Sequence, residues 1–223
     1  GCLAAKKMAE VQRLCGCHDV VLLQETHGNE ADLLTLARDV PSHVVFGSFV
    51  PSGAAAGGCV ILCRKAIVGH VEGHAFLEIL GGRCCALNLH INDLTLQFIN
   101  IHITPQDDLN AKKLLLRNLK AHIVSQDVGI SILGGDFNFV PEGEERYKVE
   151  GYEPTTRTST AEPIAQYFAE QFPQMVDIAC DGYTRVQMEH GVVKGAARLD
   201  RIYCNVPAID LVDCSPRAAV VHN

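Results

Sequence analysis

Four short apolar runs in this chain turn polar at their C-terminal ends, and that repeated switch constrains the fold more than any other feature. They are Val20-Val21-Leu22-Leu23-Gln24-Glu25-Thr26-His27, Phe98-Ile99-Asn100-Ile101-His102-Ile103-Thr104-Pro105, Ile130-Ser131-Ile132-Leu133-Gly134-Gly135-Asp136-Phe137-Asn138 and Ala197-Arg198-Leu199-Asp200-Arg201-Ile202-Tyr203. Apolar runs of this length, bounded by polar and glycine residues, read as buried strands. Residues two apart on an extended strand face the same side. Asp136 and Asn138 are therefore expected to project together, as are Asn100 with His102 and Arg198 with Asp200. Glu25 lies just past its own apolar run.

The remaining pattern alternates helices with strands. Residues 3–15 carry Leu3, Met8, Val11 and Leu14 or Cys15 at helical spacing. Asn29 suits the N-cap of a helix from Glu30 to Asp39, stopped by Pro41. Strands are expected at 43–49, 57–64, 67–72, 75–80, 83–91 and 94–104, with Asn92-Asp93 as a hairpin turn. Asp107 and Asp108 open a helix to about Ser125, with Leu109, Leu114, Leu115, Leu119 and Ile123 near its inner face. Residues 162–172 read as another helix, and 198–204 and 209–214 as late strands. The expected fold class is α/β, a pair of packed sheets flanked by helices. With no internal repeat, low-complexity tract or linker, residues 1–223 are expected to form one domain.

Composition narrows the classes. No apolar run approaches the roughly 18 residues of a membrane span, so no membrane partner is expected. The ten cysteines include no CxxC pair that would suit zinc. Several sit inside apolar runs (Cys59, Cys63, Cys84, Cys204), as reduced thiols in an intracellular protein would. The sequence does not choose a compartment, the nucleus included, or an oligomeric state. The net charge of −7, with no run of Lys or Arg longer than two, speaks against extended nucleic-acid binding by this segment alone. It leaves room for a hydrolase whose acidic groups recruit a cation first. Strand ends gather ligand-binding groups in open sheets, so Glu25 and Asp136 could converge on one hard cation. Mg²⁺ takes a few oxygen ligands and keeps several waters, which suits one or two carboxylates and a substrate phosphate.

Each of these residues also has a plain structural explanation. Glu25 could be a carboxylate at the entry of the helix that Asn29 caps. Asp136-Phe137-Asn138 could be an Asx-type turn leading to Pro141. His102 and His90 could be hydrogen-bonded strand histidines, Arg198 and Asp200 a solvated ion pair, and Glu142, Glu144 and Glu145 an exposed acidic loop. Ordered co-occurrence of the motifs is what favours chemistry.

Leu23-Gln24-Glu25-Thr26, Gly135-Asp136-Phe137-Asn138 and Arg198-Leu199-Asp200-Arg201-Ile202 together resemble the three ordered signatures of the endonuclease/exonuclease/phosphatase superfamily. Gly57-Gly58-Cys59-Val60-Ile61-Leu62 resembles its glycine-led strand between the first two, and the similarity spans roughly residues 5 to 205. The resemblance implies a four-layer α/β sandwich of two mixed, mainly antiparallel sheets, and phosphodiester hydrolysis with Mg²⁺, or Mn²⁺ in its place. By that resemblance Glu25 binds the metal, and Asp136 shares in metal binding and activates or positions the attacking water. Asn138 holds the phosphate or scissile oxygen, and Asp200 orients a catalytic histidine near the C-terminus. His102 falls where apurinic and many retrotransposon endonucleases carry tyrosine and where relatives similar to deoxyribonuclease I carry histidine. It could donate to a phosphate oxygen or help protonate the leaving group. The family's first strand, with its asparagine, and its terminal Ser-Asp-His triplet have no match here, so truncation at both ends is expected.

Three functions compete. The first is a Mg²⁺-dependent endonuclease nicking DNA, like those associated with reverse transcriptase in non-LTR retrotransposons; Gln24-Glu25-Thr26-His27 and Gly58-Cys59-Val60-Ile61-Leu62-Cys63-Arg64-Lys65 favour it. The second is a phosphatase or phosphodiesterase acting on phosphoinositides or sphingomyelin, which the acidic pI favours. The third is a non-catalytic fragment that keeps the sandwich without the chemistry.

Overall fold

The computed structural model describes residues 5–50, 57–141, 145–150, 153–158, 162–178, 184–189 and 192–206. The chain divides into two compact units. The first comprises residues 1–102 and 121–135, the second 103–120 and 136–223.

Unit 1 holds helices α1 (Ala5–Cys17), α2 (Glu30–Asp39) and the single turn α3 (Lys65–Val68). Its strands are β1 (Val20–Leu23), β2 (His43–Ser48), β3 (Cys59–Arg64), β4 (Gly73–Leu80), β5 (Cys84–Ile91), β6 (Leu94–His102) and β7 (Gly129–Asp136), the last reaching Asp136 at the boundary between the units. One sheet has the order β1-β3-β2, antiparallel throughout, with Val20 opposite Cys63 and His43 opposite Arg64. The strands β7-β6-β5-β4 form a second sheet region, in which β4, β5 and β6 run antiparallel.

Strand β3 explains the layering. Its first five residues are all buried, so it has no solvent face. Val60 and Leu62 turn to one side, where Val11 and Cys15 of α1 and Leu36 of α2 meet them. Cys59, Ile61 and Cys63 turn to the other, against Cys85, Leu87 and Leu89 of β5. The period-2 alternation of a strand thus joins a helix layer to a second sheet. The buried thiols act here as small apolar groups: burial raises Cys59 to about 12 and Cys63 to about 11, well away from thiolate chemistry.

Unit 2 holds α4 (Leu109–Lys120), β8 (Glu145–Glu150), β9 (Glu153–Thr158), α5 (Pro163–Gln171), β10 (Val176–Asp177), β11 (Arg185–Glu189), β12 (Val192–Ala197) and β13 (Asp200–Cys204). Strands β11-β12-β8-β9 form one antiparallel sheet, and β10 pairs with β13. An aromatic cluster binds helix to strand: the ring of Phe168 on α5 lies 4.8 Å from that of Tyr203 on β13 and 5.5 Å from that of Phe137. Pro163 stands at the first turn of α5, where its missing N–H costs nothing.

The α/β class with paired sheets and flanking helices is the one expected from sequence. The capping of α2 follows expectation in detail: Asn29 accepts from Ala31 and Asp32, and Asp32 returns a bond to the Asn29 N–H. Asn92 sits in the left-handed region at φ 52° in the two-residue turn that pairs Ile91 with Leu94. Several boundaries differ. Residues 67–72 are not a strand; Lys65–Val68 make a helical turn, and β4 begins at Gly73. Helix α4 ends at Lys120, and Leu109 and Leu114 lie on its exposed side, the buried stripe being Leu115, Leu116 and Leu119. Five strands between 145 and 197 were not read from the sequence: β8 and β9 are largely polar, β10 has two residues, β11 alternates only Val186 and Met188 with polar neighbours, and Lys194-Gly195 interrupt β12. Glu145 opens β8 rather than an acidic loop. The expected strand at 209–214 lies outside the described residues.

One glycine sets the spacing of β7 against β6. A Cβ on Gly135 would lie 1.9 Å from the Ile101 carbonyl oxygen, and its φ is 145°. Gly135→Ala should therefore cost about 3 kcal/mol or more, from backbone strain and overpacking combined. A urea melt reads this directly, and a midpoint equal to wild type would contradict it.

Candidate active site

The expected site residues fall into two groups, each inside one unit. In unit 1, β1 ends at Leu23 and the chain enters an irregular loop. Glu25 and His27 both take left-handed backbone, at φ 51° and 48°. Residues with a Cβ pay for that conformation, at about 1–3 kcal/mol each. The loop is pinned by a rung pattern: Thr26 N–H donates to the Gly58 carbonyl at 3.2 Å and His27 N–H to that of Gly57 at 2.9 Å. Gly58 is needed for this approach, since a Cβ there would stand 2.4 Å from Thr26 Oγ1 at a φ of +100°. The glycine pair noticed in sequence thus supports the loop that carries Glu25.

The result is a carboxylate 60% exposed, held 3.6 Å from Nε2 of His102, whose own side chain is only 2% exposed. That separation is longer than a hydrogen bond. His102 ends β6, and its backbone N–H donates to Arg83 O at 2.8 Å. Beneath both residues lies Asn100, fully buried. Its Nδ2 donates to the carbonyls of Leu23 and Val60, each at 2.9 Å, and its Oδ1 accepts from Gln24 Nε2 at 2.6 Å.

In unit 2, Asp136 and Asn138 adjoin, through a turn rather than through strand alternation. Asp136 Oδ1 accepts from the Asn138 N–H at 2.9 Å, and Asn138 is left-handed at φ 48°. Asparagine tolerates that region better than most residues. The Asn138 side chain donates to Ile103 O at 2.8 Å, while Ile103 N–H donates to Asp136 O at 2.8 Å. Phe137, between them, is buried in the aromatic cluster and donates its N–H to Leu199 O at 3.0 Å. The apolar anchor thus holds the two polar neighbours in place, and lays the turn beside the segment preceding Asp200.

Asp200 opens β13, with its N–H and that of Leu199 both donating to Thr184 Oγ1, at 2.9 and 2.8 Å. The Arg198 guanidinium binds Asp177 at 2.6 Å, and Asp177 also binds Arg201 at 2.8 Å. The Arg201 side chain is fully buried. The same guanidinium donates to Arg198 O at 3.0 Å and closes the turn that carries Asp200.

Sequence reading did not single out Asn100, Gln24, Thr184, Asp177 or Arg201 as supports. The signal present for two of them was a polar side chain inside an apolar strand, Asn100 in β6 and Arg201 in β13. His90 is a hydrogen-bonded strand histidine as expected, its Nδ1 3.3 Å from Thr95 Oγ1.

The match to the family model described as Endonuclease/Exonuclease/phosphatase runs from residue 3 to residue 215. The chain belongs to the endonuclease/exonuclease/phosphatase family. Solved structures of this family share its fold. The endonuclease domain of TRAS1, a telomere-specific non-LTR retrotransposon, superposes with a TM-score of 0.61 at 10% identity, covering 93% of this chain and 82% of that one. The Xenopus laevis APE2 catalytic domain gives 0.67 at 18% identity, covering 93% and 78%. A mannosyl-6-phosphatase of Bacteroides thetaiotaomicron gives 0.55 at 14% identity, covering 91% and 77%. A search of proteins with curated function finds no match.

Against that family background the donors fit a hard divalent ion. Among the described residues no three His, Cys, Asp or Glu side chains cluster as a closed metal cage. Glu25 in unit 1 is an exposed carboxylate and Asp136 in unit 2 a half-buried one, each by itself an oxygen donor of the type that hard divalent ions take.

Asp177 is the structural keystone of the Asp200 turn. Asp177→Ala would take from the buried Arg201 the carboxylate it binds at 2.8 Å, at an expected cost of about 1–3 kcal/mol. Thermal unfolding measures this, and stability equal to wild type would contradict that role.

Proposed function

We propose that this chain is a Mg²⁺-dependent phosphodiesterase, specifically an endonuclease that nicks DNA. One observation carries the reading most directly: Glu25 is held in a costly left-handed backbone, exposed, opposite a buried histidine. Strain of that kind is retained where a carboxylate must sit in one place for chemistry. A bound Mg²⁺ would supply Lewis acidity toward a phosphoryl oxygen.

The residues divide the remaining work. Glu25 holds the ion, with Asp136 as a further carboxylate ligand. Asp136 also accepts a proton from, or orients, the attacking water. Asn138 offers its amide to a phosphoryl oxygen, a preorganised donor that stabilises charge as it develops. His102 Nε2 donates to a phosphate oxygen or to the departing oxygen. Asp200 offers a carboxylate of the kind that can accept an imidazole N–H and orient the ring. DNA as substrate draws on the likeness to the TRAS1 and APE2 domains.

The net charge of −7 favours a second reading in the same family, a phosphatase or phosphodiesterase acting on small phosphorylated substrates or lipid head groups. The assay separates them. Supercoiled plasmid should be nicked in Mg²⁺ or Mn²⁺ and left intact in EDTA. Asp136→Ala and Glu25→Gln should each reduce nicking at least about 100-fold. Combining the two should cost little more than the worse single change, because groups acting in one step are non-additive. Nicking that survives Asp136→Ala would overturn the nuclease reading. Release of phosphate or a head group without nicking would install the second.

A further inference from the structure

Asn100 is not among the residues assigned to metal or substrate, yet it is the most completely hydrogen-bonded polar side chain beneath Glu25. We infer that Asn100, with Gln24, is a positioning residue that fixes the Glu25 carboxylate for metal binding by locking the end of β1 to β3 and β6. The inference rests on the metal role proposed above for Glu25.

The geometry gives the reason. Leu23 and Val60 face one another as the last pair of the β1–β3 ladder. The Leu23 carbonyl, two residues before Glu25, also receives one Nδ2 hydrogen of Asn100, so the end of the ladder is tied to a third strand. The second hydrogen goes to Val60 O on β3, directly opposite Leu23 in the register. The remaining acceptor, Oδ1, takes the amide of Gln24, the residue adjoining Glu25. One amide therefore satisfies three groups on two strands and grips the chain at both residues preceding Glu25. Asn100 itself stands two places before His102 on β6. The partner that faces Glu25 is thus set on the same rigid strand as the residue that orients Glu25.

Neither isosteric exchange preserves this. Aspartate would oppose carboxylate oxygens to two carbonyls, and leucine would remove both donors and the acceptor for Gln24. Gln97 supplies a matched comparison, because it is another fully buried amide on β6. Its bonds go elsewhere, to Asn88 Oδ1 at 2.9 Å and His122 O at 2.8 Å.

Mn²⁺ affinity by calorimetry, with amide hydrogen exchange on the metal-free protein, tests the inference. Asn100→Ser should weaken Mn²⁺ binding about tenfold or more, the range typical when a group supporting a metal ligand is removed. It should also speed exchange at Thr26 and His27, whose amides lie in the pinned loop, while Leu62 on β3 stays protected. Gln97→Ala should change affinity less than twofold and leave both loop amides protected. If Asn100→Ser fails to fold, Gln24→Ala, which removes one link only, should shift affinity and exchange in the same direction by a smaller factor.

Equal behaviour of the Asn100 and Gln97 variants, whether both shift or neither does, would reduce Asn100 to ordinary packing and overturn the inference. Mn²⁺ binding by wild type without phosphodiester hydrolysis would sink the proposed reaction and leave the positioning role to be decided by these affinities. No Mn²⁺ binding by wild type would overturn both.

Discussion

Burial of β3 on both faces is the constraint on which unit 1 depends. A strand with Val60 and Leu62 committed to the helices and Cys59, Ile61 and Cys63 committed to β5 has no surface left for polar side chains. Polar chemistry is thereby displaced to the strand ends, and the neighbouring strand β1 follows suit, apolar through Leu23 and polar from Gln24 onward. The switch that opens the sequence reading is a direct consequence of this layering. Backbone groups at such ends still need partners in a region that water does not reach. Where the ladder stops, buried amides and glycine carbonyls take over.

Conformational strain is concentrated where the chemistry is proposed. Of the four non-glycine residues with left-handed backbone among the described residues, Asn92 serves a hairpin, Glu25 and His27 lie in the loop after β1, and Asn138 lies in the turn after β7. A hairpin of two residues requires positive φ by its geometry. No comparable rule requires it of Glu25, for which the left-handed region is unfavourable. Its conformation persists because Gly57 and Gly58 accept from the next two amides, and because Gly58 carries no Cβ to strike Thr26. The glycine-led strand and the glutamate loop are one device, although more than 30 positions separate them in sequence.

Legibility from sequence followed the physics of each element. Apolar periodicity disclosed β1, β3, β5, β6 and the core of β7, and the Asn29 cap was legible because capping is a local interaction. Strand β9, Glu153-Pro154-Thr155-Thr156-Arg157-Thr158, gives no apolar alternation to read, and β11 alternates over only two apolar residues, Val186 and Met188. Tertiary pairing decides them instead. The inner face of α4 was misjudged by one residue at Leu114, a rotation of about 100° on a helix, because neighbouring leucines leave the phase ambiguous. At the site, ordered motifs pointed to Glu25, His102, Asp136, Asn138 and Asp200. The supports were hidden, because a hydrogen bond from Asn100 to Leu23 spans 77 positions and leaves no local pattern.

The Asp136–Asn138 segment shows why structural and chemical explanations of one residue need not compete. An Asx-type turn is the plain reading of this segment, and the molecule contains that turn: the Asn138 N–H donates to Asp136 Oδ1. That bond occupies one carboxylate oxygen and so fixes the direction of the other. Phe137, driven into the aromatic cluster by its apolar surface, prevents the turn from swinging. A carboxylate used as metal ligand or base benefits from being oriented before substrate arrives, since the cost of ordering it is then met in folding rather than in the transition state. The turn is therefore the means by which an ordinary folding preference yields a preorganised functional group. The same logic holds for Asp200, where Thr184 and the Asp177–Arg201 pair settle the backbone first and the carboxylate inherits its direction.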